Sequence, residues 1–305
     1  MIYTCTLNPA IDYKIKIDQL NLNELNRFKD GKFYVGGKGI NVSIGLKHLG
    51  TSSIVTGFLG GLTGNHIKEE IHKNHKLGTK FIMTNTLTRV NVKVLIADKE
   101  TEINHDGEPI ESIYIDRLLN LVNNLKSSDL LVCGGSTAKG HPNLYEKIAK
   151  ICYSHQVPFI MDTPGNYIDQ FIQYHPLLMK PNLFELETYL GKSLDTRDEK
   201  IKACQYLIEK GAINVILSLG SQGSLFVNKD IILEAPHIDK KVNNTVGAGD
   251  SMVAGFTHAY KAKQSILNCY KSAVAGASAT TFGRYLLDEL MYQEILTSIT
   301  IKEIK

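Results

Sequence analysis

Two hydrophobic periods alternate along this chain, and where they change the chain divides. Residues 2–7 form a short apolar run that predicts a buried strand, ended by Asn8-Pro9. Residues 12–18 then alternate polar and apolar side chains, as a strand wet on one face does. Residues 89–96 repeat that alternation, and with 101–104 they predict a hairpin turning through Asp98-Lys99. A shorter strand is expected at 32–35. Between these segments the spacing predicts a helix over 40–49, a strand over 53–58, a turn at Gly60-Gly61-Leu62-Thr63-Gly64, a polar helix over 66–75 and a strand over 81–83.

Beyond residue 110 the pattern becomes regular. Helices are predicted over 111–125, 143–155 and 167–174, each followed by an apolar run, at 130–133, 159–162 and 178–179. Helical spacing returns at 182–190 and 200–210, then a strand at 215–219 and a hairpin over 223–234. The small, apolar stretch 250–282 predicts two helices broken near 261–265, and a last helix covers 287–299.

Helices and strands joined by short connections imply an α/β fold with a mostly parallel sheet covered on both faces. The alternating segments do not belong in a sheet buried on both sides. They predict a small β-sheet lid, formed by 12–35 and 89–104, whose apolar face seeks a partner; a homodimer through the lid is expected. No repeat or linker interrupts the chain, so residues 1–305 are read as one domain.

Composition narrows the partners. A net charge of +3 implies neither nucleic acid nor an anionic membrane surface as a partner. No apolar run approaches the length of a membrane span, and the N-terminus enters a strand without a signal-like segment, so a cytoplasmic protein is expected. Five scattered cysteines, none in a C-x-x-C pair, argue against a disulfide framework and a zinc site.

The chemistry concentrates in Asn244-Thr245-Val246-Gly247-Ala248-Gly249-Asp250-Ser251. Small residues before a buried helix let its first amides converge on an anion, and the helix dipole favours phosphate there. A carboxylate in that turn, Asp250, can take the proton of a hydroxyl attacking the phosphate. No Walker loop is present: Lys38 is followed by glycine, and Gly191-Lys192-Ser193 lacks the earlier glycine.

Three further motifs join this one in chain order: Gly36-Gly37-Lys38-Gly39-Ile40-Asn41, Lys180-Pro181-Asn182-Leu183-Phe184-Glu185 and Ser218-Leu219-Gly220-Ser221-Gln222-Gly223. Together they resemble the ribokinase-like sugar kinases of the phosphofructokinase B branch. Within it, residues 6–12, Asn26-Arg27, 88–93 and 101–104 are similar to the 1-phosphofructokinase and tagatose-6-phosphate kinase subfamilies. The resemblance implies a three-layer α/β/α domain and transfer of a phosphoryl group from ATP, with Mg²⁺, to a ketohexose phosphate. Fructose 1-phosphate is the expected acceptor, with tagatose 6-phosphate and fructose 6-phosphate as alternatives. It implies Asp250 as base with Gly247, Ala248 and Gly249 as anion hole, and Asp12, Gly36, Gly37 and Asn41 around the sugar. Arg89 is expected on the sugar's own phosphate, with Lys38 and Arg27 as helpers. Asn182 and Glu185 are expected to act on Mg²⁺ through its waters. Ser218, Gly220 and Gly223 are expected at the nucleotide, and Ala275, Gly276 and Ser278 along the adenine.

Two rivals are weaker. A non-catalytic sugar-phosphate sensor would be expected to lose Asp250, Gly247, Gly249 or Arg89, and all are present. A nucleoside kinase would have no use for a second phosphate clamp at Arg89. One departure stands out: the family's Gly-Ser-x-Pro-x-Gly turn reads Gly135-Ser136-Thr137-Ala138-Lys139-Gly140. Without proline, a freer loop over the triphosphate is expected.

Overall fold

The computed structural model describes residues 1–97 and 99–304; Asp98, expected in the lid hairpin turn, lies outside the described residues. The first half runs β1 (Ile2–Thr6), β2 (Ala10–Ile17), β3 (Gly31–Gly36), α1 (Lys38–His48), β4 (Ile54–Gly60), α2 (Gly61–Glu70), β5 (Gly78–Thr84), β6 (Arg89–Ile96), β7 (Lys99–Ile103), α3 (Ser112–Asn123), β8 (Leu130–Gly134) and α4 (Leu144–Ser154). The second half runs β9 (Phe159–Asp162), α5 (Ile168–Phe171), β10 (Leu178–Met179), α6 (Leu183–Leu190), α7 (Arg197–Glu209), β11 (Asn214–Ser218), β12 (Ser224–Asn228), β13 (Ile232–Ala235), α8 (Ala248–Lys261), α9 (Ile266–Phe282), α10 (Glu289–Ser298) and β14 (Lys302–Ile304).

The large sheet has the order β14-β13-β12-β11-β10-β9-β8-β1-β4-β5. From β11 to β5 every pairing is parallel, and β12, β13 and β14 add an antiparallel edge. The central strands are apolar because both faces are covered. In β8, Leu131 and Cys133 enter the core built with Leu118 of α3, Ile148 of α4 and Leu207 of α7. Their neighbours Leu130 and Val132 enter the opposite core, with Leu46 of α1, Phe256 of α8 and Ala273 of α9. This is the expected three-layer arrangement.

The small residues between 250 and 282 serve helix packing. A Cβ on Gly255 would lie 2.2 Å from the Ser272 carbonyl oxygen, and one on Gly276 at 2.2 Å from that of Ser251, so α8 and α9 meet backbone to backbone.

The lid is a separate sheet of order β3-β2-β6-β7, with β2 and β6 parallel. Its register puts Ile11, Tyr13, Ile15, Phe33, Val90, Val92 and Ile103 on one face, and Asp12, Tyr34, Arg89 and Asn91 on the other. On the apolar face Phe33 (60%), Val90 (38%) and Ile103 (58%) are exposed.

Several expected elements differ. The glycine-rich turn at 60–64 is the first turn of α2, which starts at Gly61, and the helix expected over 66–75 ends in a π turn at Ile71–His75. The helix expected over 167–174 is only the single turn α5 between two 3₁₀ turns, Gly165–Tyr167 and Ile172–Tyr174. β14 was not foreseen: Lys302-Glu303-Ile304 is mostly exposed and takes its form from pairing with β13.

Candidate active site

In a parallel sheet the strand ends that carry side chains outward lie together at one edge. Here β1 ends at Thr6, β9 at Asp162, β10 just before Lys180 and β11 at Ser218. Two helix starts meet this edge. Gly37 caps α1 with φ 146°, Gly247 caps α8 with φ 81°, and neither helix has a side-chain cap. The positive φ at Gly247 calls for glycine; a Cβ there would meet only Leu286 Cδ1, a flexible side-chain end, at 2.5 Å. In the first turns Ile40 N donates to Thr6 Oγ1 at 3.2 Å and Ala248 N to the Thr245 carbonyl at 3.3 Å, so Gly249 and Asp250 offer the amides left at the start of α8, where the dipole favours an anion.

Asp250 occupies the first turn of α8 and is 7% exposed. Asn41, one turn into α1, donates from Nδ2 to Asp250 Oδ2 at 2.7 Å. Burial, with repulsion from Asp162, pushes the Asp250 carboxyl up to about 6, against the pull of Lys38, Asn41 and Lys180. A carboxylate held there is ionised at neutral pH and still basic enough to receive a proton.

Two residues without an assigned role in the sequence reading stand beside it. Asp162 is buried, and its Oδ1 takes both Lys38 Nζ at 3.0 Å and Lys180 Nζ at 3.4 Å, while Oδ2 has no protein partner. Burial opposes the charge on Asp162, and the two lysines more than offset it. Lys180 is 4% exposed and lies 3.0 Å from where a Cβ on Gly249 would be, so Gly249 makes room for a cation at the start of α8. The signal available in sequence was a polar residue closing an apolar strand, at Asp162, and the lysine opening the Lys180-Pro181-Asn182 motif.

Lys38 is also relocated. Expected as a helper on the sugar's phosphate, it reaches Asp162 and, at 3.8 Å, Glu185 Oε1, on the Asp250 side. Burial pulls its pKa down, but Asp162, Glu185 and Asp250 together raise it, so it stays charged. Asn182 and Glu185 form a reciprocal capping box: Glu185 N donates to Asn182 Oδ1 at 2.8 Å, and Asn182 N to Glu185 Oε2 at 2.9 Å. The box uses Oε2 and leaves Oε1 turned to Lys38. Ser218 joins this corner through a backbone bridge to Asn182, and the turn Gly220–Gln222 with Gly223 (φ 91°) follows it.

Across the site, Asp12 is on the lid's polar face, and a Cβ on Gly36 would stand 2.9 Å from its Oδ2. Arg89, two pairs along, donates from Nε and Nη2 to the Asn8 carbonyl at 3.2 and 3.0 Å, and from Nη1 to that of His105 at 2.7 Å. Burial lowers its pKa, opposed by Asp12 and Asp106. Arg89 borders a cleft of ≈ 330 Å³ with Asn8, Asp106, Ser136 and Lys139. The 135–140 turn therefore lines the Arg89 cleft. Tyr145 Oη donates to the Gly135 carbonyl of this turn at 2.8 Å, and Thr137 Oγ1 to that of His141 at 3.0 Å.

Two groups of expected residues lie away from these clusters. Arg27 stands exposed in the segment joining β2 to β3, apart from the Arg89 cleft lining. Ala275 has no exposed surface and Gly276 is pressed on Ser251, so both belong to the α8–α9 packing and not to a pocket wall; Ser278 keeps 8% exposure.

A buried carboxylate at an anion-binding helix start, facing a separate polar lid, defines a phosphotransferase of the ribokinase-like architecture. The chain belongs to the pfkB family of carbohydrate kinases, whose family model matches residues 5–286. It is 36% identical to the 1-phosphofructokinase of Borreliella burgdorferi, across 100% of this chain and 99% of that one. It is 31% identical to the D-tagatose-1-phosphate kinase of Bacillus licheniformis, across 99% of each. Its fold matches phosphofructokinase-2 from Escherichia coli, solved in complex with substrates and products, with a TM-score of 0.89 at 28% identity over 97% of this chain and 98% of that one.

Proposed function

We propose that this kinase uses ATP to phosphorylate D-fructose 1-phosphate on its C6 hydroxyl, giving fructose 1,6-bisphosphate and ADP. ATP-dependent phosphorylation of a ketohexose phosphate agrees with the family and with full-length relatives at 31–36% identity. The observation that carries the chemistry is Asp250, buried at an uncapped helix start and held by Asn41.

In this reading Asp12 accepts bonds from sugar hydroxyls, and Arg89 with Ser136 faces the phosphate the sugar already carries. The C6 hydroxyl gives its proton to Asp250 as its oxygen attacks the γ-phosphorus. ADP departs while the first amides of α8, Lys38 and Lys180 meet the charge on the transferring group. Lys38 and Lys180 are already gathered on one oxygen of Asp162, so little reorganisation is needed. Ser218, Gly220, Gly223 and Ser278 are assigned to the nucleotide.

The residues also fit Mg²⁺. Asp162 Oδ2 is buried without a protein partner, and Glu185 Oε1 is not consumed by the capping box. Among the described residues no group of three His, Cys, Asp or Glu side chains could grip a metal alone, which suits an ion ligated chiefly by phosphate and water. Mg²⁺ bound there would neutralise charge on the nucleotide phosphates. The exposed lid face supports a homodimer joined sheet to sheet. Among the described residues no helix is long and apolar enough to cross a membrane, and five free, buried cysteines suit the cytoplasm.

A second reading, phosphorylation of tagatose 6-phosphate, is supported by the tagatose-6-phosphate kinase of Staphylococcus epidermidis, 32% identical across 84% of each chain. Comparing kcat/KM for fructose 1-phosphate, tagatose 6-phosphate and fructose 6-phosphate at fixed MgATP decides between them. Fructose 1-phosphate should lead. A tenfold lead for tagatose 6-phosphate, about 1.4 kcal/mol, would overturn the acceptor and leave the kinase.

A further inference from the structure

The lid's polar face holds a buried amide whose hydrogen bonds run between the two groups assigned to the sugar phosphate. Asn91 is 6% exposed and pairs with Asp12 in the β2–β6 register. Its Nδ2 donates to Asp12 Oδ1 at 2.8 Å, and its Oδ1 accepts from the His105 amide at 3.2 Å. The carbonyl of that same His105 accepts from Arg89 Nη1 at 2.7 Å. One residue of backbone just past β7 thus ties the amide that holds Asp12 to the guanidinium of Arg89. A second anchor fixes the far end: Arg89 also bonds the Asn8 carbonyl, and Asn8 Nδ2 bonds the Asp106 carbonyl at 2.8 Å.

We infer that Asn91 is a positioning residue for substrate recognition, setting the carboxylate of Asp12 at a fixed distance from Arg89. The inference rests on the proposed roles of those two residues. A free carboxylate rotates about its last bond and presents either oxygen. With Oδ1 committed to Asn91, Oδ2 is the atom left for a sugar hydroxyl, and the absent side chain of Gly36 keeps its surroundings open. Because His105 bonds both Asn91 and Arg89, the spacing between the hydroxyl acceptor and the phosphate cation is set as a unit. Ketohexose phosphates that differ in which end is charged differ in just that spacing. Asn91 therefore discriminates among them without touching any of them.

The test is steady-state kinetics on the full-length chain, with Asn91→Leu, which keeps bulk and removes both hydrogen bonds, and Asn91→Ser, a smaller change should Leu fold poorly. KM for fructose 1-phosphate should rise about 10- to 100-fold, the range for losing a hydrogen bond to a charged group. KM for ATP should stay within about twofold. In an Asp12→Ala background the same Asn91 substitution should add little, since its effect passes through Asp12. Equal effects on both substrates, or full additivity with Asp12→Ala, would mean Asn91 only packs the lid and would overturn the inference. A wild-type chain that turns over no ketohexose phosphate would defeat the functional reading itself, and this inference with it.

Discussion

Replacing Asp250 by Asn should destroy activity and strengthen the fold at the same time. The side chain is almost wholly buried, and its pKa lies at about 6 in the native state against the ordinary carboxyl value of 3.8. A carboxyl whose folded pKa is raised favours the folded state fully only below its unfolded value. That advantage is lost as pH rises through about 6, so at pH 7.5 the charged Asp250 opposes folding. The difference of somewhat more than two pH units corresponds to about 3 kcal/mol at neutral pH. Asparagine keeps the shape, leaves an oxygen for Asn41 Nδ2 and carries no charge. For a chain of this length the gain amounts to about 5 °C in Tm at pH 7.5, and it should shrink by roughly half at pH 5. Meanwhile kcat should fall by at least ~10²–10⁴-fold. In the wild type kcat/KM should decline below about pH 6, where Asp250 takes up its proton. Thermal unfolding at the two pH values, beside a coupled ADP-release assay, measures both. A variant less stable than wild type at pH 7.5, or one retaining more than about a tenth of kcat, would refute the reasoning.

Gly249→Ala separates anion hole from helix packing. The new Cβ would crowd Lys180 Nζ at 3.0 Å, and kcat/KM should drop about 10²-fold or more, with Tm unchanged or slightly higher because alanine suits a helix better than glycine; a parallel loss of stability would contradict this. At the lid, Phe33→Lys should convert a dimer to a monomer at micromolar concentration, and sedimentation of wild type as a monomer alone would dispose of the lid interface.

Much of this molecule is legible in its residues because the buried sheet leaves so little choice. An apolar run such as Leu130-Leu131-Val132-Cys133, between amphipathic helices, can hardly be anything but a strand covered on both faces. The lid's period of two was equally plain. What escaped depends on contacts distant in the chain. β14 exists through its pairing with β13, and α2 starts at Gly61 although glycines usually read as a turn. The site divides along the same line. Asp250, Asn41 and Asp12 could be named from local motifs. Asp162 and Lys180 come from strand ends about twenty residues apart, and only the sheet order β8-β9-β10-β11 brings them beside Lys38. Ala275 was misjudged because a small residue facing a ligand and a small residue facing another helix look alike in one dimension.

The parallel pairing of β2 with β6 has a consequence for how the chain comes to exist. Asp12 and Asn91 are separated by 79 residues, and the chain between them makes α1, β4, α2 and β5, most of one end of the main sheet. The lid is therefore no hairpin that could close early. A growing chain leaving the ribosome carries β2 and β3 unpaired on the β6 side until residue 96 has emerged and β4 and β5 have a place beside β1. In the proposed reading, acceptor recognition is assembled late, on a scaffold that must already be in order. For the same reason the lid cannot be cut out and exchanged as a cassette: its strands are stitched through the body they cover.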